Sequence, residues 1–246
     1  GLYMRTIRTF IEATLHPAQE MTLPEAASNH LIRVLRLQPG DRIHLFNGDG
    51  NDYLSEITGV EKKGAKVRIL DAQARANESP LRIHLYQSIA RGEKMDWILQ
   101  KSTELGVAAF TPMVSDRTEV KIEGERSENK RAHWLGVIRS ACEQSGRATV
   151  PDLQPAISLS QIPAGALQTQ AFYLQPDAEQ RINDLTLDLD SPVALAIGPE
   201  GGFSERDILR LQTLGFTGLR MGPRILRTET AGIAAIAALQ SRYGDW

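Results

Sequence analysis

From Asp41 onward, apolar and polar side chains alternate in short runs, DRIHLFN, YLSEITGV and KVRILDA, separated by the turn-rich GDGND and by a Gly-Ala turn. A period of two with Gly, Asp and Asn punctuation predicts half-buried strands joined as hairpins. Upstream, PEAASNHLIRVLRL has a longer period: His30, Val34 and Leu37 fall on one stripe of a short helix, which Pro39, Gly40 and Asp41 end. The first 70 or so residues thus read as a small, mostly β domain. The polar AQARANESP at 72–80 is the best candidate for a linker.

Beyond it, strand and helix patterns alternate. The strand LRIHLYQ at 81–87 precedes ARGEKMDWILQKSTELG, in which Met95, Ile98, Leu99, Ser102 and Leu105 are spaced for a helix and Gly106 stands where a C-cap glycine belongs. VAAFTPM reads as a strand, and residues 127–145 as a helix with Trp134, Val137, Ile138 and Ala141 on its apolar face. QAFYLQ at 170–175 and VALAIG at 193–198 are strand-like; the second is nearly all apolar, as expected of a central strand in a parallel sheet. Ser204 and Asp207 suit an N-cap and its N3 carboxylate, with a helix running to Leu214 and Gly215. A last strand near 218–222 precedes the small-residue helix TAGIAAIAALQSRYG. Apolar on nearly all sides, that helix is expected to be deeply buried or part of a subunit interface. The sum is an α/β domain over roughly 80–246.

Composition changes this picture little. With 41% apolar and 24% charged residues in 246, the chain needs neither disulfides nor metal to hold a core. Cys142 is the only cysteine, so an intrachain disulfide and a thiolate zinc site are excluded, and a reducing cytoplasm is the expected location. Met4 reads as a natural start preceded by three extra residues, and no run approaches the length of a membrane span. The five histidines show no metal-ligand spacing, so no metal is expected. A formal net charge of −2 argues mildly against nonspecific nucleic-acid binding, but Arg33, Arg36 and Arg42, with Arg5 and Arg8 near the start, form a local basic patch.

Candidate chemistry lies in two glycine-rich segments. IGPEGG at 197–202 follows an apolar strand and precedes a capped helix, and open α/β sheets bind ligands at such strand ends. Glycines there admit a ligand to the backbone, although a tight turn without a ligand has the same composition. Neither segment is a Walker loop or a G-x-G-x-x-G fingerprint, which favours a ligand held by backbone groups and apolar strand ends over a phosphate grip. GPRILRTETAG at 222–232 puts Arg227, Thr228, Glu229 and Thr230 just before the last helix. Either threonine suits an N-cap, and Arg227 with Glu229 suits either a cleft or a structural ion pair. Glu200 suits a ligand or a helix cap. Arg91, Glu93 and Lys94 follow the first strand of the α/β region, where RNA contacts and a solvated helix turn are both reasonable. Arg147 suits the dipole of a helix end, and Cys142 reads as a packed helical residue with no histidine partner.

Taken together, HLIRVLRL with PGD, FNGDG, ESPLRIHLYQSIARGEKMDWILQKSTELGV, PMVSDRTEVK, ACEQSGR, IGPEGGFSERD and MGPRILRTETA resemble the ribosomal RNA small subunit methyltransferase E family along nearly the whole chain. The last two motifs in this spacing are the most specific. The resemblance implies an enzyme that methylates N3 of a uridine in 16S ribosomal RNA with S-adenosylmethionine. It implies a PUA-like β-barrel for RNA binding at 4–74 and a SPOUT-type α/β domain with a deep trefoil knot at 75–246, a path that general topology rules do not suggest. It further implies a cytoplasmic homodimer acting on 16S rRNA in the small ribosomal subunit.

Carried onto this chain, the methyl-donor pocket would be formed by Ile197, Gly198, Pro199, Glu200, Gly201 and Gly202 of the first motif, with Leu174 from QAFYL. Its other wall would come from Leu219, Met221, Gly222, Ile225, Leu226, Arg227, Thr228 and Thr230. Arg227 would stabilise charge developing on the uracil ring, and Glu229 would accept the N3 proton or orient Arg227. RNA would be met by Arg5, Arg8, Arg33, Arg36, Arg91, Lys94, Arg117 and Arg147. The competing readings are a related methyltransferase acting on another RNA and a non-catalytic RNA-binding or ribosome-assembly module. A nucleotide-dependent oxidoreductase is least supported, for want of the dinucleotide fingerprint.

Overall fold

A computed structural model describes residues 6–167 and 170–246, which divide into two compact units. The first takes the chain up to Glu78 and adds Arg139–Val150, a return that the linear division at 74/75 does not contain. Its strands are β1 (Arg8–Phe10), β2 (Glu20–Thr22), β3 (Arg42–Phe46), β4 (Asn51–Glu61) and β5 (Gly64–Ala74), in the sheet order β1-β3-β4-β5-β2. The β4–β5 hairpin turns at Lys62-Lys63, and β1 is the one strand paired parallel to its neighbour. Period-two alternation sends Ile43, Leu45, Ile57, Val67 and Ile69 inward, where they pack with Leu31 and Leu23.

The predicted helix at 24–37 is more complex than its stripe suggests. A short α1 (Glu25–Asn29) runs into a π-helical turn, His30–Val34, closed by Arg36 at φ 58°. The wider turn rotates the inward face onto Ala27, Ser28, Leu31 and Ile32. Of the expected stripe only Leu37 packs on the core; His30 is exposed and Val34 is 66% exposed.

Arg8 ties the returning segment into this unit. Its guanidinium grips Asp52 with two hydrogen bonds, at 3.0 and 2.8 Å, and lies over the Phe46 ring. It also donates to the carbonyls of Cys142, Glu143 and Arg147, beside the C-terminal end of α3 (Gly124–Ser145), where a cation suits the helix dipole. The Arg8 and Asp52 side chains are 6% and 2% exposed. Phe10 N–H donates to the Glu143 carboxylate, Arg139 lies over the Phe10 ring, and Arg147 pairs with Glu78 at 2.6 Å. Cys142 is fully buried and its thiol is pushed up to about 11 by that burial, which leaves it protonated at neutral pH.

The second unit is a parallel α/β layer structure. Its elements are β6 (Ile83–Ser88), α2 (Glu93–Glu104), β7 (Ala109–Val114), β8 (Asp152–Leu153), β9 (Ile157–Ser158), β10 (Gln170–Leu174), β11 (Val193–Ile197), α4 (Glu205–Thr213), β12 (Thr217–Leu219) and α5 (Thr228–Tyr243). The sheet order is β12-β10-β11-β6-β7-β8, with β9 also on β7 and all pairings parallel. The apolar run Val193–Ile197 is central and wholly buried, as its sequence predicts. Ala194 and Ala196 meet the α4 side with Phe203, Leu211, Leu214 and Phe216, whereas Ile197 and Leu85 meet α5 on the opposite face. Among the described residues no helix is long and apolar enough to cross a membrane.

After β6 the chain moves to β7 on one side; after β11 it moves to β12 on the other. The C-terminal ends of β6 and β11 therefore flank a topological switch point, where open α/β sheets leave a crevice.

Replacing Arg8 by Ala leaves the Asp52 carboxylate buried with only Arg75 at 3.8 Å to answer it. We expect a loss of about 3 kcal/mol in urea unfolding, and an Arg8→Ala/Asp52→Ala double variant that loses less than the sum of the single changes. A second expectation concerns pH. His84, stacked on Tyr86 and bonded to Thr111, is lowered to about 4, chiefly by burial. The unfolded chain then binds the extra proton first, so this stabilisation is complete above pH ~6.5 and is lost as pH falls toward about 4. His84→Gln should flatten stability against pH across that window; an unchanged slope would remove His84 as its cause.

Candidate active site

The two glycine-rich segments meet at the switch point. The first begins at Gly198, directly after β11, and closes on itself: the Gly202 N–H donates to the Pro199 carbonyl at 2.8 Å. A Cβ on Gly198 would lie 3.1 Å from Phe203 N and 3.2 Å from the Gly202 carbonyl carbon, both backbone atoms, so no larger residue fits this turn undistorted. Gly202 holds φ 76°, where glycine carries no steric penalty. The segment then enters α4 through a capping box in which the Ser204 side chain and the Asp207 carboxylate satisfy each other's backbone N–H groups.

The second segment enters α5 with Arg227 as N-cap and no side-chain capping bond, so neither threonine caps the helix. Thr228 is buried instead. Its hydroxyl donates to the Gly198 carbonyl at 2.7 Å and accepts from Gln87 Nε2 at 2.9 Å. This bridge joins the segments that the sequence singles out. Glu229 sits in the first turn of α5, where the helix dipole favours a carboxylate, and its buried Oε2 has no hydrogen-bond partner among the described residues. Arg227 is exposed and, among the described residues, forms no ion pair with Glu229, which sets aside the structural-pair alternative.

Beside the bridge, Leu174, Gln175, Pro176, Leu219, Met221, Arg224, Leu226 and Ala231 line a small, mainly apolar pocket. Four of the expected cofactor residues, Leu174, Leu219, Met221 and Leu226, are brought together there. Gly222, at φ 62°, lines a different cleft with Arg181, Asn183 and Arg220. Ile225 is 83% exposed, and Thr230 is also on the surface. Arg224 and Ala231 fall within the second segment the sequence singles out, whereas sequence reasoning misses Gln175, Pro176 and Gln87. Of these, Gln87 carried a usable signal: a polar residue in alternation with the apolar Leu81, Ile83 and Leu85.

Three of the expected RNA-binding cations surround the first segment. The Glu200 carboxylate accepts from the Arg91 N–H at 3.1 Å and Nε at 3.2 Å, with Lys94 Nζ at 3.5 Å. Burial works to raise the Glu200 carboxyl, but these donors and its own backbone N–H together hold it below the usual range. Arg91 also pairs with Glu119, and Arg117 donates to the Gly201 carbonyl at 2.9 Å. In the first unit, Arg33 and Arg36 project into solvent with exposed Val34 and Leu35 between them. Arg8 and Arg147 are different: both guanidiniums are buried in ion pairs and do not belong to a solvent-facing surface. Arg5 lies outside the described residues. Among the described residues no group of three or more His, Cys, Asp or Glu side chains is placed to hold a metal ion.

Residues 77–240 match the family model described as an RNA methyltransferase domain, and residues 23–70 match that of an RNA methyltransferase PUA domain. The ribosomal RNA small subunit methyltransferase E of Buchnera aphidicola (subsp. Schizaphis graminum) is 36% identical over 98% of each chain; that of Bacillus subtilis is 30% identical over 94% of this chain and 95% of its own. A putative methyltransferase from Legionella pneumophila, solved with bound S-adenosylmethionine, superposes with a TM-score of 0.94 at 40% identity, covering 99% of this chain and 100% of the other. A ribosomal RNA small subunit methyltransferase E from Neisseria gonorrhoeae, bound to S-adenosyl methionine, gives 0.88 at 37% identity over 98% and 100%. With its bridged glycine-rich segments and matches along nearly its whole length, the chain belongs to the ribosomal RNA small subunit methyltransferase E family.

Proposed function

We propose that this enzyme transfers a methyl group from S-adenosylmethionine to N3 of a uridine in 16S rRNA, with the small ribosomal subunit as its target and a homodimer as its working form. The observation that carries this reading is the Thr228–Gly198 bridge, which joins two glycine-rich segments at the switch point of the sheet, the second of them also lining an apolar pocket at the ends of β10 and β12. The residues fit the donor: Leu174, Leu219, Met221 and Leu226 offer an apolar bed for a ring, with Gln175 and Arg224 as polar groups on the same lining. When bound, the donor supplies a methyl sulfonium electrophile, so the protein need provide only alignment, charge and a proton acceptor.

Arg227, exposed at the N-cap of α5, is the charge that would face uracil carbonyls as negative charge develops on the ring. Glu229 retains an acceptor oxygen with no partner among the described residues, which supports the role of proton acceptor over that of orienting Arg227. Arg33 and Arg36, with Arg91, Lys94 and Arg117, supply the cations for the RNA backbone, and the target base would be taken unstacked. The trefoil knot implied by the resemblance is supported by the path of the second unit. Segment 180–185 bonds to Arg220 just after β12 through Ile182 N–H at 2.9 Å and the Gln180 carbonyl at 2.8 Å. It also accepts from Arg242 and Tyr243 at the far end of α5. The dimer is supported by Ile233, Ala234, Ala237 and Ala238, which are only half-buried on an almost wholly apolar helix.

Incubation with labelled donor and intact small subunits, followed by mass spectrometry of the nucleosides, should find the label on N3 of uridine; a ribose or another base would replace this substrate assignment. Arg227→Ala should slow single-turnover transfer by about 10²–10³-fold while calorimetric donor affinity changes little, and equal losses in both would move Arg227 into cofactor binding. An Arg33→Ala/Arg36→Ala variant should bind the RNA more weakly, with a salt slope shallower by about 1.4–1.8. An unaltered slope takes that patch off the RNA surface.

A further inference from the structure

Gln87 is the last residue but one of β6 and is 1% exposed. Its position alternates with Ile83 and Leu85 on the α5 face of the sheet, where an apolar side chain would be the ordinary choice. The amide donates from Nε2 both to the Ser88 carbonyl and to Thr228 Oγ1, each at 2.9 Å. Because a carbonyl can only accept, the Ser88 contact fixes which end of the amide is nitrogen. With Nε2 as donor, Thr228 Oγ1 must accept from it, and the one hydroxyl proton is directed to the Gly198 carbonyl. The chain Gln87–Thr228–Gly198 thus has a single sense.

The other end of the amide shows that this arrangement is costly. Gln87 Oε1 is buried without a hydrogen-bond partner among the described residues, a position that disfavours a polar side chain unless its nitrogen is needed. A methionine of similar length would fill the space with no orphaned acceptor.

We propose that Gln87 is a positioning residue of the methyl-donor site. Through Thr228 it sets the separation and register of the two glycine-rich segments, so that the backbone groups of both present one preformed surface to the donor. The inference rests on the reading of those segments as the S-adenosylmethionine site and adds to it a residue outside both motifs.

Calorimetry of S-adenosylmethionine on the full chain tests it. If the unaltered protein does not bind the donor, the reading of the site falls, whatever Gln87 does. Given that binding, Gln87→Met should raise Kd about tenfold, and Thr228→Val should do the same. Thr228→Ser, which keeps the hydroxyl, should stay within about twofold. Because both residues act through one chain of hydrogen bonds, Gln87→Met/Thr228→Val should bind no more weakly than the worse single variant. RNA affinity should not move. An unchanged Kd in Gln87→Met, or a double variant whose losses multiply to about a hundredfold, overturns the proposal. Should Gln87→Met fail to fold by circular dichroism, the Thr228→Ser and Thr228→Val pair decides: equal affinities overturn the proposal and a tenfold separation upholds it.

Discussion

The second unit depends on how closely α5 can lie against the middle of the sheet. At Gly232 a Cβ would stand 3.3 Å from Ile197 Cγ1 and 3.6 Å from Leu85 Cδ1, so the helix backbone rests almost directly on the side chains of β11 and β6. A helix of glycine and alanine can do this; a leucine-rich one would stand off by the thickness of its side chains. The short distance brings the first turn of α5 level with the end of β11 and lets a side chain as small as Thr228 reach the Gly198 carbonyl. Site geometry is in this sense set by a packing contact made at Gly232, one turn along the helix.

The same residues show why parts of the fold can be read from the sequence and others cannot. The all-apolar run at 193–197 requires cover on both faces, and the Ser204/Asp207 pair has a local hydrogen-bonding logic; both are present as their patterns imply. Features decided by distant partners are not written locally. The strands Arg8–Phe10 and Glu20–Thr22 are three residues each, too short to show a period. The turn at His30–Val34 departs from the 3.6-residue repeat on which the expected stripe relied. Glycine identity is ambiguous for a physical reason: Gly198 is required by the closure of its own turn and Gly202 by its positive φ, so neither needs a ligand to explain it. Family resemblance singles out the segments as a ligand site, whereas local packing and backbone conformation account for Gly198 and Gly202.

Arginine illustrates the limit from the side of electrostatics. Arg8 and Arg147 are spent on internal carboxylates and carbonyls, whereas Arg33 and Arg36 keep their charge in solvent, and nothing in the residue type distinguishes them. Arg91 and Lys94 are intermediate, since Glu200 already occupies them. A phosphate approaching this cluster would compete with a carboxylate that is partly shielded from water, so the acidic member of the first motif tempers the positive charge its neighbours present to any anion.

Arg8 also has a consequence for the order in which the protein is made. Its guanidinium is neutralised by Asp52, but three of its acceptors belong to residues 142–147, between 134 and 139 positions later in the chain. During synthesis the N-terminal strands emerge first and must wait, with the Phe10 ring face uncovered and Arg8 short of its last three acceptors, until the end of α3 has left the ribosome. The first unit is therefore a domain in space but not in time: it cannot complete its interior from its own contiguous stretch of sequence, and its final folding step is coupled to the appearance of the polypeptide that builds the second.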